Sequence, residues 1–425
     1  MTREMKDSGI KWVGNIPTSW EVMANRYLFE ITKKIVTNPN NYQLLSLTTK
    51  GVKEKDPEDT KGKVPDNYNG YQIVEKNDLV MCLFDLDCSA VFSGLSKYKG
   101  MISPAYKILK TNKKIADEKY FDYWFQYVSS ERFYMQYSKS LRYTVNSDEF
   151  ELLKSIVPPL AEQKKIAEYL DKKCAEISSI VEDIQKQIEV LEQYKRSTIT
   201  EAVTKGLNPN AEMKDTNTTW LNYIPVNWDI KKGKYIFKTR NTKGNSINLE
   251  LLSPTQKFGV IPQSKYEELS TQVTVKVNEK TNLMSFKTIH NGDYCISLRS
   301  FEGGFEYSNY EGVVSPAYTV FYPIIGVDRR YYKYLFKIRP FIHEMNSYSL
   351  SLRDGKPISF DDFGNTLIPI PSILEQTEIA DYLDKKCAEI EAIISDKKAQ
   401  LDVIEKYKRS LIYEYVTGKK EVVDE

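Results

Sequence analysis

Histidine and cysteine, two side chains that often perform acid–base, nucleophilic and metal chemistry, are few in this sequence and lie far apart. The 425 residues include two histidines, His290 and His343. Zinc sites need clustered Cys and His ligands, and serine or cysteine hydrolases need a histidine beside the nucleophile. The sequence therefore favours neither a metal site nor a hydrolytic triad. The five cysteines form no CxxC pair and are Cys82, Cys88, Cys174, Cys295 and Cys387.

Motifs that bind nucleotides are also missing from the sequence. The Gly-Lys pairs at residues 62–63 and 418–419 are followed by Val and Lys, so neither forms the phosphate loop GxxxxGK[ST]. The glycine-rich run at residues 301–305 lacks the GxGxxG spacing. Neither Asn-Pro-Asn triplet, at residues 38–40 and 208–210, continues into the aromatic residue of an adenine methyltransferase motif. We therefore expect this chain to be non-catalytic and to bind no cofactor itself.

Composition limits the partners and the compartment. Lys and Arg number 60 against 58 Asp and Glu, a formal net charge of +2, so binding to a polyanion must come from local patches. The odd number of cysteines, a polar N-terminus and the lack of any run of eighteen apolar residues predict a soluble protein of the reducing cytoplasm.

The strongest feature is an internal repeat. The nine residues Tyr169 to Ile177, YLDKKCAEI, return unchanged at Tyr382 to Ile390, about half the chain later. Upstream, a Pro followed by Glu-Gln recurs at the same offset, and downstream Tyr-Lys-Arg-Ser recurs at residues 194–197 and 407–410. This extent predicts a duplicated structural unit.

Each copy of the repeat reads as one long helix. Gly and Pro are absent between Leu160 and Lys205, and apolar residues follow a heptad-like seam. Pro158-Pro159 and Gly206 bound the first helix; Ser372 with Glu375 and then Gly418 bound the second. Core packing in an ordinary helical domain is the alternative, but length and duplication favour an intramolecular antiparallel coiled coil. Besides Cys174 and Cys387, its seam comprises Leu170, Ile177, Val181, Ile184, Ile188, Leu191, Leu383, Ile390, Ile394, Leu401, Ile404 and Leu411.

The segments before and between these helices resemble each other as well. Trp12, Ile16-Pro17 and Trp20 correspond to Trp220, Ile224-Pro225 and Trp228, and Ser-Pro-Ala-Tyr and Ser-Leu-Arg recur in order. Short β-rich runs, at residues 78–84, 101–109 and 313–321, precede aromatic helical stretches at 120–137 and 329–345. We predict an α/β (α+β) fold: globular domain 1–157, helix 158–206, globular domain 207–371 and helix 372–425, related by a pseudo-twofold axis.

The order of these segments resembles the specificity subunit of type I restriction-modification systems. The junctions that carry the resemblance are residues 158–166, PPLAEQKKI, and residues 369–376, PIPSILEQ. The resemblance covers essentially the whole chain. It implies a double-stranded DNA reader that assembles with two modification (methyltransferase) subunits and with restriction subunits. It also implies that S-adenosylmethionine, ATP and Mg are used by those partners.

In that family each globular domain would read one half of a bipartite, asymmetric target, with the helix pair setting the spacing. Residues kept in both halves are candidates for phosphate contacts, and residues that differ are candidates for reading bases. Arg142 and Arg353 are kept, with salt bridges to Asp148 and Asp361 as the structural alternative. The differing candidates are Phe84 against Arg299, Lys97 against Asn309, and Lys99 against Glu311.

Two alternatives stay open. The basic and aromatic cluster at residues 329–337 could follow a DNA backbone, although buried tyrosines with solvated lysines are the more frequent arrangement. The whole chain could instead be a non-catalytic coiled-coil scaffold whose globular domains bind proteins. Salt-dependent binding to duplex DNA would separate a DNA reader from such a scaffold.

Overall fold

Short strands separated by turns form the two segments outside the long helices, as apolar runs bounded by turn residues predict. A computed structural model describes residues 3–49, 51–56, 67–88, 92–138, 140–244, 249–269, 285–296, 304–348 and 358–423. Contacts divide the chain into two units. Unit 1 is Met1–Gln185 with Lys398–Glu425, and unit 2 is Lys186–Lys397.

Unit 1 begins with twelve strands and three short helices in the described residues. They are β1 (Met5–Asp7), β2 (Asn15–Pro17), β3 (Glu21–Ala24), α1 (Asn25–Leu28), β4 (Phe29–Thr32), β5 (Leu45–Thr48), β6 (Gly51–Glu54), β7 (Gln72–Val74), β8 (Leu79–Met81), β9 (Ser93–Leu95), β10 (Gly100–Ile102), β11 (Lys107–Thr111), α2 (Glu118–Ser130), α3 (Ser147–Leu152) and β12 (Lys154–Val157).

The centre of unit 1 is an antiparallel sheet of order β4-β11-β8-β9. Helix α2 packs on it, and the aromatic residues of α2 join the main core. A smaller second core, which includes Leu47, Val80 and Ile108, lies under the pairs β5-β6 and β7-β10. The other two-stranded pairs are β1-β2 and β3-β12.

The first long helix is α4 (Leu160–Lys205), whose last part, from Lys186, belongs to unit 2. The chain then continues through the rest of unit 2. Its elements are β13 (Met213–Asp215), β14 (Tyr223–Pro225), β15 (Asp229–Lys232), β16 (Phe237–Thr239), β17 (Leu252–Thr255), β18 (Gly259–Pro262), α5 (Gln263–Leu269), β19 (Lys287–Ile289), β20 (Tyr294–Ile296), β21 (Phe305–Tyr307), β22 (Gly312–Val314), β23 (Thr319–Pro323), α6 (Arg329–Leu335), α7 (Arg339–Ser347), α8 (Phe360–Asn365), β24 (Leu367–Ile370) and the second long helix α9 (Ile373–Val416).

The two units have the same strand order. The central sheet of unit 2 is β16-β23-β20-β21, and its pairs β13-β14, β15-β24, β17-β18 and β19-β22 match those of unit 1 in sequence order. The capping box Asn146/Glu149 that begins α3 is matched by Ser359/Asp362 at α8. The internal repeat of the sequence is therefore a repeat of topology.

Four predicted elements are interrupted where local chemistry requires it. The β-rich run at residues 101–109 is two strands, because Pro104 occupies a turn closed by Tyr106 N donating to Ser103 O at 3.3 Å. The β-rich run at residues 313–321 is two strands, β22 and β23, because Pro316 occupies a turn closed by Tyr318 N donating to Ser315 O at 3.0 Å. The helical stretch 120–137 ends its α-helix at Ser130 and resumes as a 3₁₀ helix after Arg132, whose φ is +53°. The stretch 329–345 divides into α6 and α7, with Pro340 in the first turn of α7.

The long helices, of 46 and 44 residues, pack antiparallel within each unit. In unit 1 the ring of Tyr169 on α4 lies 4.6 Å from that of Tyr415 on α9. In unit 2 Lys195 bonds Glu391 and Gln187 bonds Lys397, so sequence numbers rise on one helix as they fall on the other. The predicted α+β class with an antiparallel coiled coil is confirmed.

The predicted seam residues lie on the packed side of the helices. Leu170, Ile177, Ile184, Leu383, Ile390, Ile394 and Leu411 are buried with Cys174 and Cys387, while Val181, Ile188, Leu191, Leu401 and Ile404 are half-buried. The globular core of unit 1 continues onto α4 and α9 through these side chains, as does that of unit 2. Among the described residues, no helix has both the length and the apolar composition needed to cross a bilayer.

Glycines end both helices because the chain must turn where another segment lies close. Gly206 has φ +77°, and a side chain there would meet Trp228 and Glu375. Gly418 has φ +71°, and a side chain there would collide with Pro17 and Trp20. Left-handed backbone and close approach both select glycine at these matched positions.

Candidate nucleic-acid interface

Arg142 lies in an exposed loop of unit 1, residues 140–146, called here the arginine loop. The loop is held against the segment that follows β8: Asp85 N donates to Arg142 O at 3.1 Å, and Val145 N donates to Leu83 O at 2.8 Å. These main-chain bonds fix the backbone of Arg142 and leave its side chain exposed. A phosphate contact needs such a fixed and accessible cation.

The structural alternative for Arg142 is not formed. Within the described residues, neither Arg142 nor Asp148 takes part in an ion pair. Asp148 instead lies in the first turn of α3, where the helix dipole stabilises a carboxylate. The guanidinium of Arg142 is therefore available to a ligand.

Phe84 lies beside the arginine loop because Asp85, its neighbour, bonds the loop. Its ring is half-buried against the smaller core of unit 1, with its centroid 6.1 Å from that of Tyr106. Burial raises the pKa of Tyr106 above its ordinary value, as expected for a phenol under this core. Only part of the Phe84 ring can face a ligand.

Lys97 and Lys99 occupy the turn between β9 and β10, and both side chains are exposed. Ser96 forms this turn: its hydroxyl donates to Tyr98 O at 2.8 Å and accepts from Tyr98 N at 3.3 Å. Lys99 Nζ lies 3.0 Å from Glu75 Oε1, and this hydrogen bond raises the pKa of Lys99. Since Glu75 already holds Lys99, Lys97 is the freer cation of the turn.

The structure separates the candidates of unit 1 into two groups. In the β8–β9 pair Leu79 lies opposite Leu95, and Met81 lies opposite Ser93. Phe84 follows the end of β8 and Lys97 follows the end of β9, so these residues lie at opposite ends of an antiparallel pair. A ligand that contacts both groups must extend along the strands.

The turn between β21 and β22 of unit 2 repeats this geometry with other side chains. The Ser308 hydroxyl donates to Tyr310 O at 2.8 Å, and Tyr310 N donates back to it at 3.2 Å. Asn309 stands where unit 1 has Lys97 and is exposed. Glu311 stands where unit 1 has Lys99, and its carboxylate lies 3.8 Å from His290 Nδ1.

Two predicted contacts, Arg299 and Arg353, lie outside the described residues, so their predicted roles remain predictions. The same holds for the roles of Arg142, Phe84, Lys97, Lys99 and Asn309, although the structure places these side chains. The geometry makes Arg142, Lys97 and Asn309 accessible, leaves Phe84 half-buried and pairs Lys99 with Glu75.

The basic and aromatic cluster of unit 2 is used for packing. Tyr331 and Tyr332 are fully buried, and Arg330 bonds Asp328 at 2.7 Å and Asp381 at 2.6 Å. These bonds raise the pKa of Arg330, with Asp328 as the largest contributor. Lys337 pairs with the buried Glu306 at 2.7 Å. The tyrosines form core, and these cations are neutralised within the unit.

Two carboxyl groups near these sites have raised pKa values. Burial raises the pKa of Glu306 to about 7 despite the Lys337 ammonium, and burial raises the pKa of Asp122 to about 6 despite bonds from Gln126 and Leu95 N. Asp122 Oδ1 accepts a hydrogen bond from Leu95 N at 3.1 Å, at the end of β9, and so supports the strand that leads into the turn of Lys97. No group of three or more His, Cys, Asp or Glu in the described part of the chain could hold a metal ion.

Sequence reasoning missed the role of the repeated Glu-Gln pair. Gln163 is buried: its amide donates to Ile115 O and Pro158 O, both at 2.8 Å, and accepts from Asp117 N at 2.8 Å. Gln376 donates to Pro371 O at 2.8 Å and accepts from Asp328 N at 2.9 Å in unit 2. The repeat of Gln was visible in the sequence, but its partners could be found only in the fold.

Leu141 was also missed, although it precedes Arg142 within the repeated Ser-Leu-Arg. It is 103% exposed at the tip of the arginine loop. A phosphate contact was predicted for Arg142, the charged residue of this triplet, and no role was predicted for Leu141.

Known proteins resemble the chain in both sequence and fold. Residues 225–402 match the family described as the type I restriction modification DNA specificity domain. The type I restriction enzyme MjaVIII specificity subunit of Methanocaldococcus jannaschii is 26% identical over 367 residues, which cover 82% of this chain and 80% of that protein.

A solved structure shares the fold. It is a chain from work on the structural basis of complex assembly and conformational transition of the type I R-M system. The likeness has a TM-score of 0.65 at 13% identity and covers 95% of this chain and 99% of that one. At this identity the likeness supports the fold.

Proposed function

Because the chain is a DNA specificity subunit of the type I restriction-modification family, we propose that each of its units reads one half of a bipartite, asymmetric DNA target. The observation that carries this proposal is the pair of matched turns, Ser96 to Lys99 and Ser308 to Glu311. Their serine-held backbones are the same and their outward side chains differ. A shared frame with different side chains suits two related readers of two different half-sites.

The chemistry of the differing side chains fits reading of bases. Lysine donates to the O6 and N7 acceptors of guanine, whereas asparagine pairs with the N6 and N7 of adenine in the major groove. Lys97 and Asn309 are exposed at matched positions. Arg142, identical to Arg353 in the sequence, would contact phosphate in the same way on either half-site.

We propose that the paired helices set the spacing of the half-sites and dock two modification subunits. Residues that recur on both long helices yet remain exposed support this docking role, since packing within the chain does not explain their identity. Tyr194 and Tyr407 are 49% and 55% exposed, and Arg196 and Arg409 are both exposed. Two equivalent faces fit two copies of one partner.

In this assembly the chain is non-catalytic and works in the cytoplasm. The modification subunits bind S-adenosylmethionine and methylate adenine, and the restriction subunits use ATP and Mg. The specificity chain supplies the residues that position the DNA and those that dock the modification subunits. The division of labour agrees with the missing nucleotide motifs in the sequence.

Methylation mapping of genomic DNA tests this proposal. Cells that carry this chain with a type I modification subunit are compared with cells that lack it. We expect a gapped, asymmetric adenine-methylated motif that depends on the chain. Exchange of residues 1–157 for those of a relative with another target should change one half of that motif and leave the other half intact.

Two outcomes would reject the proposal. A change in both halves of the motif after the exchange would mean that residues 1–157 do not act as one reader. An assembled complex that yields no chain-dependent motif and binds no duplex at low salt would favour the protein-binding scaffold, because a DNA reader binds duplex with a steep salt dependence.

A further inference from the structure

Leu141 is the most exposed large apolar side chain among the described residues, with a relative exposure of 103%. It stands at the tip of the arginine loop between Ser140 and Arg142, and Tyr143 beside it is 40% exposed. Single exposed leucines are common on protein surfaces. A leucine that protrudes completely, next to an accessible cation, is a more specific arrangement.

The loop that presents Leu141 is rigidly held by its own hydrogen bonds. Tyr143 N donates to Ser140 O at 3.1 Å, and Thr144 N donates to Ser140 Oγ at 2.8 Å. The Ser138 hydroxyl donates to Thr144 O at 2.9 Å. The protruding leucine is therefore positioned by the fold.

The backbone around this tip adopts an unfavourable conformation. Tyr143 has φ +44°, and Asp85, which donates to the loop, has φ +50°. Positive φ is uncommon for residues other than glycine and is unfavourable for a bulky aromatic residue. Such conformations persist where surrounding contacts enforce them and are concentrated at functional sites.

The two halves of the sequence share this leucine, although their predicted base-reading side chains differ. Ser-Leu-Arg recurs at residues 351–353 in the sequence, although the residues that follow are Tyr-Thr-Val in one copy and Asp-Gly-Lys in the other. Core packing cannot explain the identity of a fully exposed side chain. If the two units read different half-sites, a side chain common to both performs a step that does not depend on the bases read.

We propose that Leu141 is an apolar wedge that enters the stack of base pairs at the half-site of unit 1, with Arg142 on the adjoining phosphate backbone. This inference rests on the proposed function. Leucine side chains of DNA-bending proteins enter base steps from the minor groove and kink the duplex toward the major groove, and the same proteins use Arg and Lys side chains in that groove. An apolar wedge makes no base-specific hydrogen bond, which agrees with the repeat of the triplet in two halves that differ elsewhere.

Fluorescence of base analogues tests the wedge directly. The assembled complex of this chain with its modification subunits binds duplexes that carry the mapped target. 2-Aminopurine or pyrrolocytosine replaces, one at a time, each suitable base of the half-site except the methylated adenine, because methyltransferases unstack that base themselves. For the wild-type complex we expect fluorescence to rise at one base step of the half-site.

Three variants define the origin of that signal. Leu141→Ala should abolish the rise and weaken duplex binding about 10- to 100-fold, the range expected for loss of a buried leucine side chain. Leu141→Met keeps an apolar chain of similar volume and should retain the rise. Leu152→Ala is the matched control, because Leu152 is 62% exposed on the same unit. It should change neither the fluorescence nor the affinity for duplex DNA.

The alternatives give different results. Wild-type affinity with the same fluorescence in Leu141→Ala would overturn the wedge and leave the DNA-reading function standing. Failure of Leu141→Ala to assemble with the modification subunits would also overturn it, since the leucine would then contact a protein partner. Failure of the wild-type complex to bind any duplex would reject the proposed function itself.

Discussion

The two units share their anchoring contacts and differ at their turns. In unit 1 the Tyr123 hydroxyl donates to Asp171 at 2.9 Å, and in unit 2 the Tyr334 hydroxyl donates to Asp384 at 2.6 Å. Tyr120 and Tyr331 likewise donate to Val416 O and Val203 O, at 3.0 and 2.8 Å. Anchors to the long helices are preserved because both copies need them.

The turns show the opposite behaviour, and one difference is the pair of side chains that meet across the turn. Glu75 pairs with Lys99 in unit 1, whereas His290 faces Glu311 at the matched positions of unit 2. The acidic partner has moved from one side of the turn to the other while the serine bonds stay the same. The contact across the turn is retained with different chemistry at the surface, which frees these positions to vary.

The interiors beneath the turns also differ. Glu306 on β21 is paired with Cys295, and the matched position in unit 1 is Gly94, paired with Val80. A side chain at Gly94 would collide with Leu47. Unit 2 therefore buries a carboxylate with Lys337 at a place where unit 1 has no room for a side chain.

Loss of the buried glutamines should produce the largest effect on stability. Gln163→Leu leaves Ile115 O, Pro158 O and Asp117 N without partners and should lower the free energy of unfolding by about 3–5 kcal/mol. Gln376→Leu should lower it by about 2–4 kcal/mol, since Gln376 makes two such bonds. Urea denaturation of the purified chain measures both.

Gln193→Leu is the control for these substitutions, because Gln193 is exposed on the same helix as Gln163. It should leave the denaturation midpoint unchanged. If Gln376→Leu also left the midpoint unchanged while Gln163→Leu lowered it, the anchors of the two units would not be equivalent.

Glu306 predicts a contribution of unit 2 to the pH dependence of stability. Its pKa is raised from 4.5 to about 7 by burial, so between these values the folded state holds a proton that the unfolded state releases. Stability should therefore fall as pH rises through this window, by about 1–3 kcal/mol for this group. Glu306→Gln should remove this part of the fall between pH 5 and pH 8 and leave the smaller part that comes from Asp122, whose pKa is raised to about 6. Denaturation at the two pH values measures the difference.

Glu311→Gln serves as the exposed control in the same unit and should keep the wild-type pH dependence. A Glu306→Gln chain that still lost the same stability between these pH values would show that another group is responsible.

Lys97→Asn should test whether the turns read bases. This substitution gives the turn of unit 1 the side chain of unit 2, and we expect discrimination at one base pair of the unit 1 half-site to change by about 10-fold. The comparison is Arg142→Ala, which should weaken binding to all duplexes alike and reduce the slope of affinity against salt by about one. Titration of the complex with single-substitution duplexes at several salt concentrations measures both.

If Lys97→Asn lowered the affinity for all duplexes equally, Lys97 would belong with the phosphate contacts. A change in base preference for Arg142→Ala would place Arg142 among the readers.

The architecture was predictable because the sequence contains an internal repeat. Repeated seam residues, prolines and glycines predicted two long helices and two like-folded segments, since each such residue acts locally on the backbone. The positions of Ile115 O and Asp117 N around Gln163 were not predictable, because they depend on contacts between distant segments. The exposure of Leu141 and the pairing of Lys99 with Glu75 were hidden for the same reason.

Exchange of the Glu75–Lys99 pair for its unit 2 counterpart should give the smallest effect and the finest test of the comparison. The double variant Glu75→His with Lys99→Glu installs the unit 2 pair in unit 1. It should preserve folding, because Lys99 is exposed, Glu75 is half-buried and unit 2 already holds this arrangement. Lys99→Glu alone sets two carboxylates against each other. DNA affinity should therefore fall more in the single variant than in the double one, while the methylated motif stays the same in both. A new base preference in the double variant would show that Lys99 reads DNA as well as bracing the turn.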